Sequence, residues 1–192
     1  MNAGIEIVLA AALLLALAVT IFVAVVTFNA LVGARQQVDK AWANIGVALR
    51  QRHDELPNLV DAVRGQMGFE RATLQRVTDA RAAFSPDAPV ATQASVSAAT
   101  SRAVRELFAV VERYPGLHSD ENVMALQAEI ERLETVIADR RELYNDVVYR
   151  FNTRIAQFPG AFVASVLGWQ PRPFFEASPS DLPVPATALG SG

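Results

Sequence analysis

An uncharged apolar run near the start of the chain, from Ile7 to Ala34, limits what this protein can fold into more than any other feature. About 20 apolar residues in an α-helix are enough to cross ~30 Å of hydrocarbon, and this run is longer. A cleaved signal peptide would carry a basic N-terminal region and an apolar stretch of only about 7–15 residues. No Lys or Arg precedes the run. The sequence therefore predicts one uncleaved transmembrane helix over residues 7–32, after a short external N-terminus of residues 1–6.

Basic residues flank only one end of this predicted helix. Arg35, Lys40 and Arg50 follow it closely, whereas Glu6 is the one charged side chain before it. Because Lys and Arg are retained on the cytoplasmic side of a membrane, the predicted topology is single-pass. The N-terminus lies outside, and the rest of the chain is cytoplasmic.

Composition and motifs argue against several functional classes. The net charge of −3 does not fit a nucleic-acid-binding surface, which would be basic. The absence of cysteine excludes disulfides, iron–sulfur clusters and thiolate zinc sites. His53 and Asp54 are adjacent, so on a helix their side chains diverge by about 100° and form no catalytic dyad. No metal-binding or phosphate-binding motif appears, and we expect neither enzyme activity, nor a metal site, nor a cofactor.

Apolar residues at spacings of three and four predict three long helices after the membrane span. The first covers residues 31–84, with a kink at Pro57, where the helix loses an amide donor. The second covers residues 96–114, and the third, capped by Ser119, ends before Pro159. A short apolar segment, residues 161–167, follows.

The expected fold class is all-α. A transmembrane helix leads into an elongated antiparallel bundle of three long helices plus a short C-terminal helix, similar to a four-helix bundle, over residues 33–169. Residues 170–192 form a C-terminal extension, which we expect to be disordered after about residue 176 because Pro, Ser and Gly dominate it. An up–down–up order of three long helices would carry residue 158 away from the membrane.

Short motifs occur in a characteristic order along residues 28–176. They are Phe28-Asn29-Ala30-Leu31-Val32, Ala41-Trp42, Arg52-His53-Asp54-Glu55-Leu56-Pro57-Asn58-Leu59-Val60, Glu112-Arg113-Tyr114-Pro115, Arg140-Arg141, Tyr144-Asn145, Phe158-Pro159, Gly168-Trp169 and Pro173-Phe174-Phe175. These motifs, in this order, resemble the LemA family. The resemblance implies a bacterial inner-membrane protein with an external N-terminus and a cytosolic helical bundle. It brings no agreed biochemical activity. One branch of the family is similar to proteins of magnetosome membranes, which favours membrane organisation over catalysis.

Charged residues interrupt the apolar stripes of the predicted helices at Arg52 and Arg140. A charge buried alone costs several kcal/mol, so each needs a partner. Asp54 and Glu134 are the candidate partners, and the four residues together would form ion pairs that fix the register of the helices. The alternative is that they line a polar groove for a ligand or partner.

Two further groups are candidates for interaction. Asn145 and Asn152 lie one heptad apart beside the apolar stripe of the third helix. Solvent-exposed asparagine is the simpler interpretation of the pair, and a partner contact is the alternative. The aromatic C-terminal segment either caps the open end of the bundle or contacts a membrane interface or another subunit. Its residues are Phe162, Trp169, Phe174 and Phe175.

Two functional hypotheses follow from this reasoning. The first is a membrane-anchored helical scaffold that self-associates and organises or shapes the membrane, or recruits partners. Its expected partners are the lipid bilayer, further copies of the chain and other membrane proteins, but not nucleic acid. The second is an accessory subunit of a membrane signalling or sensory system that binds one soluble partner.

Overall fold

The computed structural model describes residues 3–65 and 70–176, and within these ranges it contains helices and no strands. This result confirms the predicted all-α class. The extension predicted to be disordered after residue 176 lies outside the described residues. The helices are α1 (Ala3–Arg64), α2 (Arg71–Ala82), α3 (Val90–Val111), α4 (Pro115–His118), α5 (Glu121–Ala156) and α6 (Gly160–Val166).

The chain divides into two compact units. The anchor unit consists of Met1–Lys40 and Asp146–Arg172, and the bundle unit consists of Ala41–Asn145 and the residues from Pro173 onward. Both α1 and α5 contribute residues to each unit. The domain boundaries predicted at residues 33 and 169 stay predictions.

The helix predicted over residues 31–84 is in fact two helices, so the prediction of one kinked helix was wrong. Helix α1 ends at Arg64, where Gly65 begins a turn, and α2 starts at Arg71. Glycine weakens a helix, since its backbone loses more entropy on ordering than any other residue. Pro57 lies inside α1 and does not end it. The kink at Pro57 stays a prediction.

Within the bundle unit, α1, α2, α3 and α5 alternate in direction. Arg81 on α2 donates a hydrogen bond to the carbonyl oxygen of His53 on α1, so α2 folds back along α1. On α5, Glu134 contacts Arg52, whereas the later residue Arg140 contacts the earlier residue Asn44. Helix α5 is therefore antiparallel to α1. The order is up–down–up–down, and the extra reversal between α1 and α2 corrects the predicted up–down–up order.

Apolar residues from α1 to α5 form the core of the bundle unit. Asp120, rather than the predicted Ser119, caps α5, since its carboxylate accepts hydrogen bonds from the backbone amides of Asn122 and Val123. Side chains with almost no exposed surface fill the core at the spacing of one helix face. They include Ile45, Leu56, Leu59, Val63, Val77, Leu107, Val111, Leu117, Ile130 and Leu133.

The anchor unit begins with the apolar part of α1, which is exposed over residues 3–26. Among the described residues, α1 is the one helix long and apolar enough to cross a membrane. Burial starts at Leu31, which is 2% exposed, and a Cβ built on Gly160 would lie 3.7 Å from a methyl group of Leu31. The chain after α5 therefore lies beside the end of the apolar run. The prediction that residue 158 is carried away from it was wrong.

Candidate functional site

Arg52 is the centre of a buried polar network in the bundle unit. Its guanidinium contacts a carboxylate oxygen of Glu134 on α5 at 2.6 Å. The same group donates to the hydroxyl of Ser101 at 2.9 Å and to the hydroxyl of Ser97 at 3.0 Å, both on α3. Ser101 in turn donates to the second Glu134 oxygen at 2.6 Å. Three helices are therefore joined through one charged side chain that is only 4% exposed.

The other predicted ion-pair residues take different positions. Arg140 donates a hydrogen bond of 3.0 Å to the backbone carbonyl oxygen of Asn44 on α1, instead of meeting a carboxylate. Asp54 is exposed and makes no ion pair with another described residue. A backbone carbonyl oxygen has two lone pairs, so the one of Asn44 can accept a hydrogen bond from Arg140 in addition to a bond within α1. Arg140 therefore has a hydrogen-bond acceptor without an acidic partner. The structure therefore joins Arg52 with Glu134 and leaves Asp54 outside the network.

In the bundle unit, hydrogen bonds from α5 hold the segment that begins at Pro173. The hydroxyl of Tyr144 donates to the carbonyl oxygen of Pro173 at 2.9 Å. The side-chain amide of Asn145 accepts from the backbone amide of Phe175 at 2.8 Å and donates to its carbonyl oxygen at 3.5 Å. The ring of Phe175 is buried and lies 6.1 Å from that of Trp42. Phe175 thus packs against residues of its own unit, whereas Phe174 remains 39% exposed.

A groove of about 580 Å³ runs along the bundle unit between α3 and α5. Its walls include Phe175 and three members of the Arg52 network, Ser97, Ser101 and Glu134. Arg102, Arg105 and Arg141 also line it, and none of the three makes an ion pair with a described residue. The groove therefore carries positive charge available to a ligand or partner.

His53 occupies a half-buried position beside Phe84, with the two ring centroids 5.0 Å apart. Burial is the main cause that lowers the pKa of His53 below its ordinary value of 6.5, and the nearby Arg81 guanidinium lowers it further. The Asp54 carboxylate and a backbone hydrogen bond to Arg81 act in the opposite direction and are smaller. The ring therefore favours its neutral form in the folded protein.

In the anchor unit, Asn152 binds the backbone of Arg172 through both ends of its amide. The oxygen accepts from the Arg172 amide at 2.8 Å, and the nitrogen donates to the Arg172 carbonyl oxygen at 2.9 Å. The Arg172 guanidinium forms an ion pair of 2.9 Å with Asp39 on α1. Asn152 and Asn145 therefore contact backbone of their own chain, so the interpretation of both as solvent-exposed side chains was wrong.

Trp169 lies over Arg35, just beyond the apolar run of α1. The Arg35 guanidinium carbon is 5.0 Å from the centroid of the Trp169 ring, a cation–π distance. On another side the ring lies 6.3 Å from Phe151. The turn before Trp169 is a Schellman motif, in which Gly168 has a φ of 65° and Trp169 donates to the carbonyl oxygen of Ala164. This turn directs the indole toward α1.

Helix α6 leaves an apolar face exposed beside α1. Gly160 and Ala164 are buried on one side of α6, while Phe162 and Val166 are 68% and 71% exposed. Together with α1, this face encloses an apolar groove of about 370 Å³. The lining residues are Ala24, Val25, Phe28, Phe162, Val163, Val166 and Leu167.

Within residues 3–65 and 70–176, no group of three or more His, Asp or Glu side chains is placed to hold a metal ion. Sequence reasoning missed the role of Ser97 and Ser101 in the Arg52 network. Their spacing of four residues on one helix face was the signal that could have found them.

Comparison with known proteins identifies a family and relatives. The LemA family model matches residues 41–187. The chain is also similar to magnetosome proteins MamQ 1 and MamQ 2 of Paramagnetospirillum magneticum, with 31% identity to each over 83 residues. These matches cover 43% of this chain and 30% of each relative. The chain thus spans less than a third of the length of the curated relatives that it matches.

Proposed function

Because the chain belongs to the LemA family, we propose that this membrane-associated helical protein is a scaffold that self-associates and organises the membrane or recruits partners to it. The proposed location is the bacterial inner membrane, with the N-terminus outside and the bundle unit cytoplasmic. The exposed Arg35 and Lys40 after the apolar run support this orientation, since basic residues are retained on the cytoplasmic side.

The observation that carries the proposal is apolar surface that the fold leaves outside its core. Val47, Met124 and Leu143 of the bundle unit are 53%, 52% and 53% exposed. Contact between copies would cover such side chains. The bundle unit also contains the Arg52 network, whose ion pair and hydrogen bonds join three helices. The magnetosome proteins among its relatives are consistent with a role at a membrane.

The mass of the full chain in a mild detergent tests self-association. We expect a discrete assembly larger than a dimer, and we expect Leu143→Glu to reduce its mass because a charge cannot be buried unpaired at the contact. Glu142→Gln, at an adjacent exposed position, is the matched control and should leave the mass unchanged. A monomer or dimer of the full chain would overturn the scaffold.

The groove between α3 and α5 favours a second candidate, an accessory subunit that binds one soluble partner with an acidic segment. Its arginines offer bidentate contacts to carboxylates. Photo-crosslinking from position 138, which lines the groove, should capture a single partner, and Arg102→Glu with Arg141→Glu should abolish the capture. Arg71→Glu, at an exposed position on α2, is the control. Capture that survives the reversal of both groove charges would refute this candidate.

A further inference from the structure

We propose that α6 lies in the membrane interface beside the end of the transmembrane helix, with its exposed apolar side chains among the acyl chains of the same leaflet. The occupant of the apolar groove between α6 and α1 is then lipid. This inference rests on the membrane anchor of the proposed function and is independent of self-association.

The position of the groove along α1 is the first argument. A helix needs about 20 residues to cross the hydrocarbon, so a span that begins at Ile7 reaches its far boundary near Val26. The α1 wall of the groove consists of Ala24, Val25 and Phe28. Ala24 and Val25 belong to this span and Phe28 follows its boundary by two residues, so the groove is continuous with the surface that lipid would cover.

The shape and composition of α6 are the second argument. With seven residues it is about 10 Å long at ~1.5 Å per residue, too short to cross a bilayer. Gly160 and Ala164 are buried on one side of α6, within the anchor unit. The other side presents Phe162 and Val166, both more than two-thirds exposed. A short helix with one apolar face matches an element that lies in the plane of the interface.

The charges around the groove are the third argument. No Asp or Glu occurs between Ile7 and Val38 or between Val147 and Phe175. Beyond the groove, Arg35 stacks against Trp169, and Trp and Arg are the residues that anchor proteins at the headgroup level. Because no carboxylate lies in these segments, they contain no negative charge that would repel the anionic phosphates of the lipids. A bilayer rather than a second copy of the chain fits this combination.

Depth-dependent fluorescence quenching tests the proposal on the full chain. The protein contains no cysteine, so Phe162→Cys and Val166→Cys each provide one site for an environment-sensitive fluorophore. Both positions are exposed, and circular dichroism of each labelled variant checks that the fold is kept. The variants are reconstituted into phosphatidylethanolamine–phosphatidylglycerol vesicles at fewer than one chain per vesicle. Phe22→Cys, in the exposed apolar part of α1 and outside the groove, is the lipid-facing control, and Ala109→Cys, exposed on α3 of the bundle unit, is the aqueous control.

The proposal expects labels at positions 162 and 166 to lose fluorescence to lipids with a quencher on the acyl chain, comparably to position 22 and several-fold more than position 109. Aqueous iodide should quench position 109 alone. Strong iodide quenching at 162 and 166 would overturn the proposal, and so would protection from both quenchers, which would mean that protein covers α6. A monomer in detergent with acyl-chain quenching at 162 would refute the scaffold and leave the membrane position of α6 standing.

Discussion

Removal of Glu134 should destabilise the bundle unit far more than loss of an ordinary surface carboxylate. Glu134→Ala leaves the charge of Arg52, whose side chain is 4% exposed, with only neutral partners among the described residues: the hydroxyls of Ser97 and Ser101 and the carbonyl oxygen of Ser97. Breaking a buried ion pair from one side costs about 3–5 kcal/mol. Glu134 itself is 28% exposed, so water can partly replace it. We therefore expect a loss of about 3 kcal/mol in the free energy of unfolding, at the lower end of that range.

Urea unfolding of the full chain in mild detergent, followed by helical circular dichroism, measures this loss. The unfolding midpoint should fall while the slope of free energy against urea stays constant, because the folded state remains equally compact. In a thermal scan, ~3 kcal/mol corresponds to a drop of about 6–12 °C for a chain of this size.

The exposed pair of Arg76 and Glu106 is the matched control. Both side chains are 52% exposed and 2.8 Å apart, so Glu106→Ala should cost at most about 1 kcal/mol. Replacing both buried partners, Arg52→Met with Glu134→Leu, should recover most of the loss, because no unpaired charge then remains. If Glu134→Ala costs no more than Glu106→Ala, or if the double variant is as unstable as the single one, the reasoning about Arg52 is refuted.

Three further predictions concern other parts of the structure. Gly160→Ala should lower the free energy of unfolding by about 1–3 kcal/mol in urea titrations, because the new Cβ would collide with a backbone carbonyl of α5; Gly46→Ala, with open space around it, should be neutral or stabilising. Because the pKa of His53 is lower in the folded protein, His53 takes up its proton at a higher pH in the unfolded chain than in the folded one. Stability should therefore fall as pH drops below 6.5 and level off below the folded pKa; a His53→Gln variant whose pH–stability curve matches the parent would contradict this. Asn152→Ala should speed hydrogen exchange at the Arg172 amide by at least about tenfold, through the loss of two hydrogen bonds; unchanged exchange would contradict the contact.

The pattern of apolar residues predicted the helices well but did not predict their number. The spacing of apolar residues shows which face of a helix is buried. This spacing is the same in the helices before and after a reversal of the chain, so it does not show where one helix ends and the next begins. Gly65 was the signal for the reversal. However, a glycine inside a helical pattern is compatible both with a weakened helical turn and with the end of a helix. Here Gly65 follows the end of a helix, since α1 ends at Arg64. Because this one reversal was missed, the end of α5 was predicted to point away from the membrane, whereas it lies beside the end of the apolar run.

The candidate sites show the same limit. The interruption of an apolar stripe identified Arg52 as a residue in need of a partner, and Glu134 lies within reach of it. Asn145 and Asn152 stood out by their heptad spacing, but their partners, at Phe175 and Arg172, lie 30 and 20 residues further along the chain. No local rule connects an amide to backbone at such a separation. These contacts depend on how the C-terminal segment packs, which is a tertiary property.

The Arg52 network also limits how the bundle unit can respond mechanically. Sliding α5 along α1 by one helical turn would shift Glu134 by about 5.4 Å and separate it from the guanidinium. The same displacement would take the carbonyl oxygen of Asn44 away from Arg140. A piston movement of α5 within this unit therefore meets two polar contacts that must break together. Any signal passed along these helices would have to travel as rotation or tilt, because these motions leave the axial register unchanged.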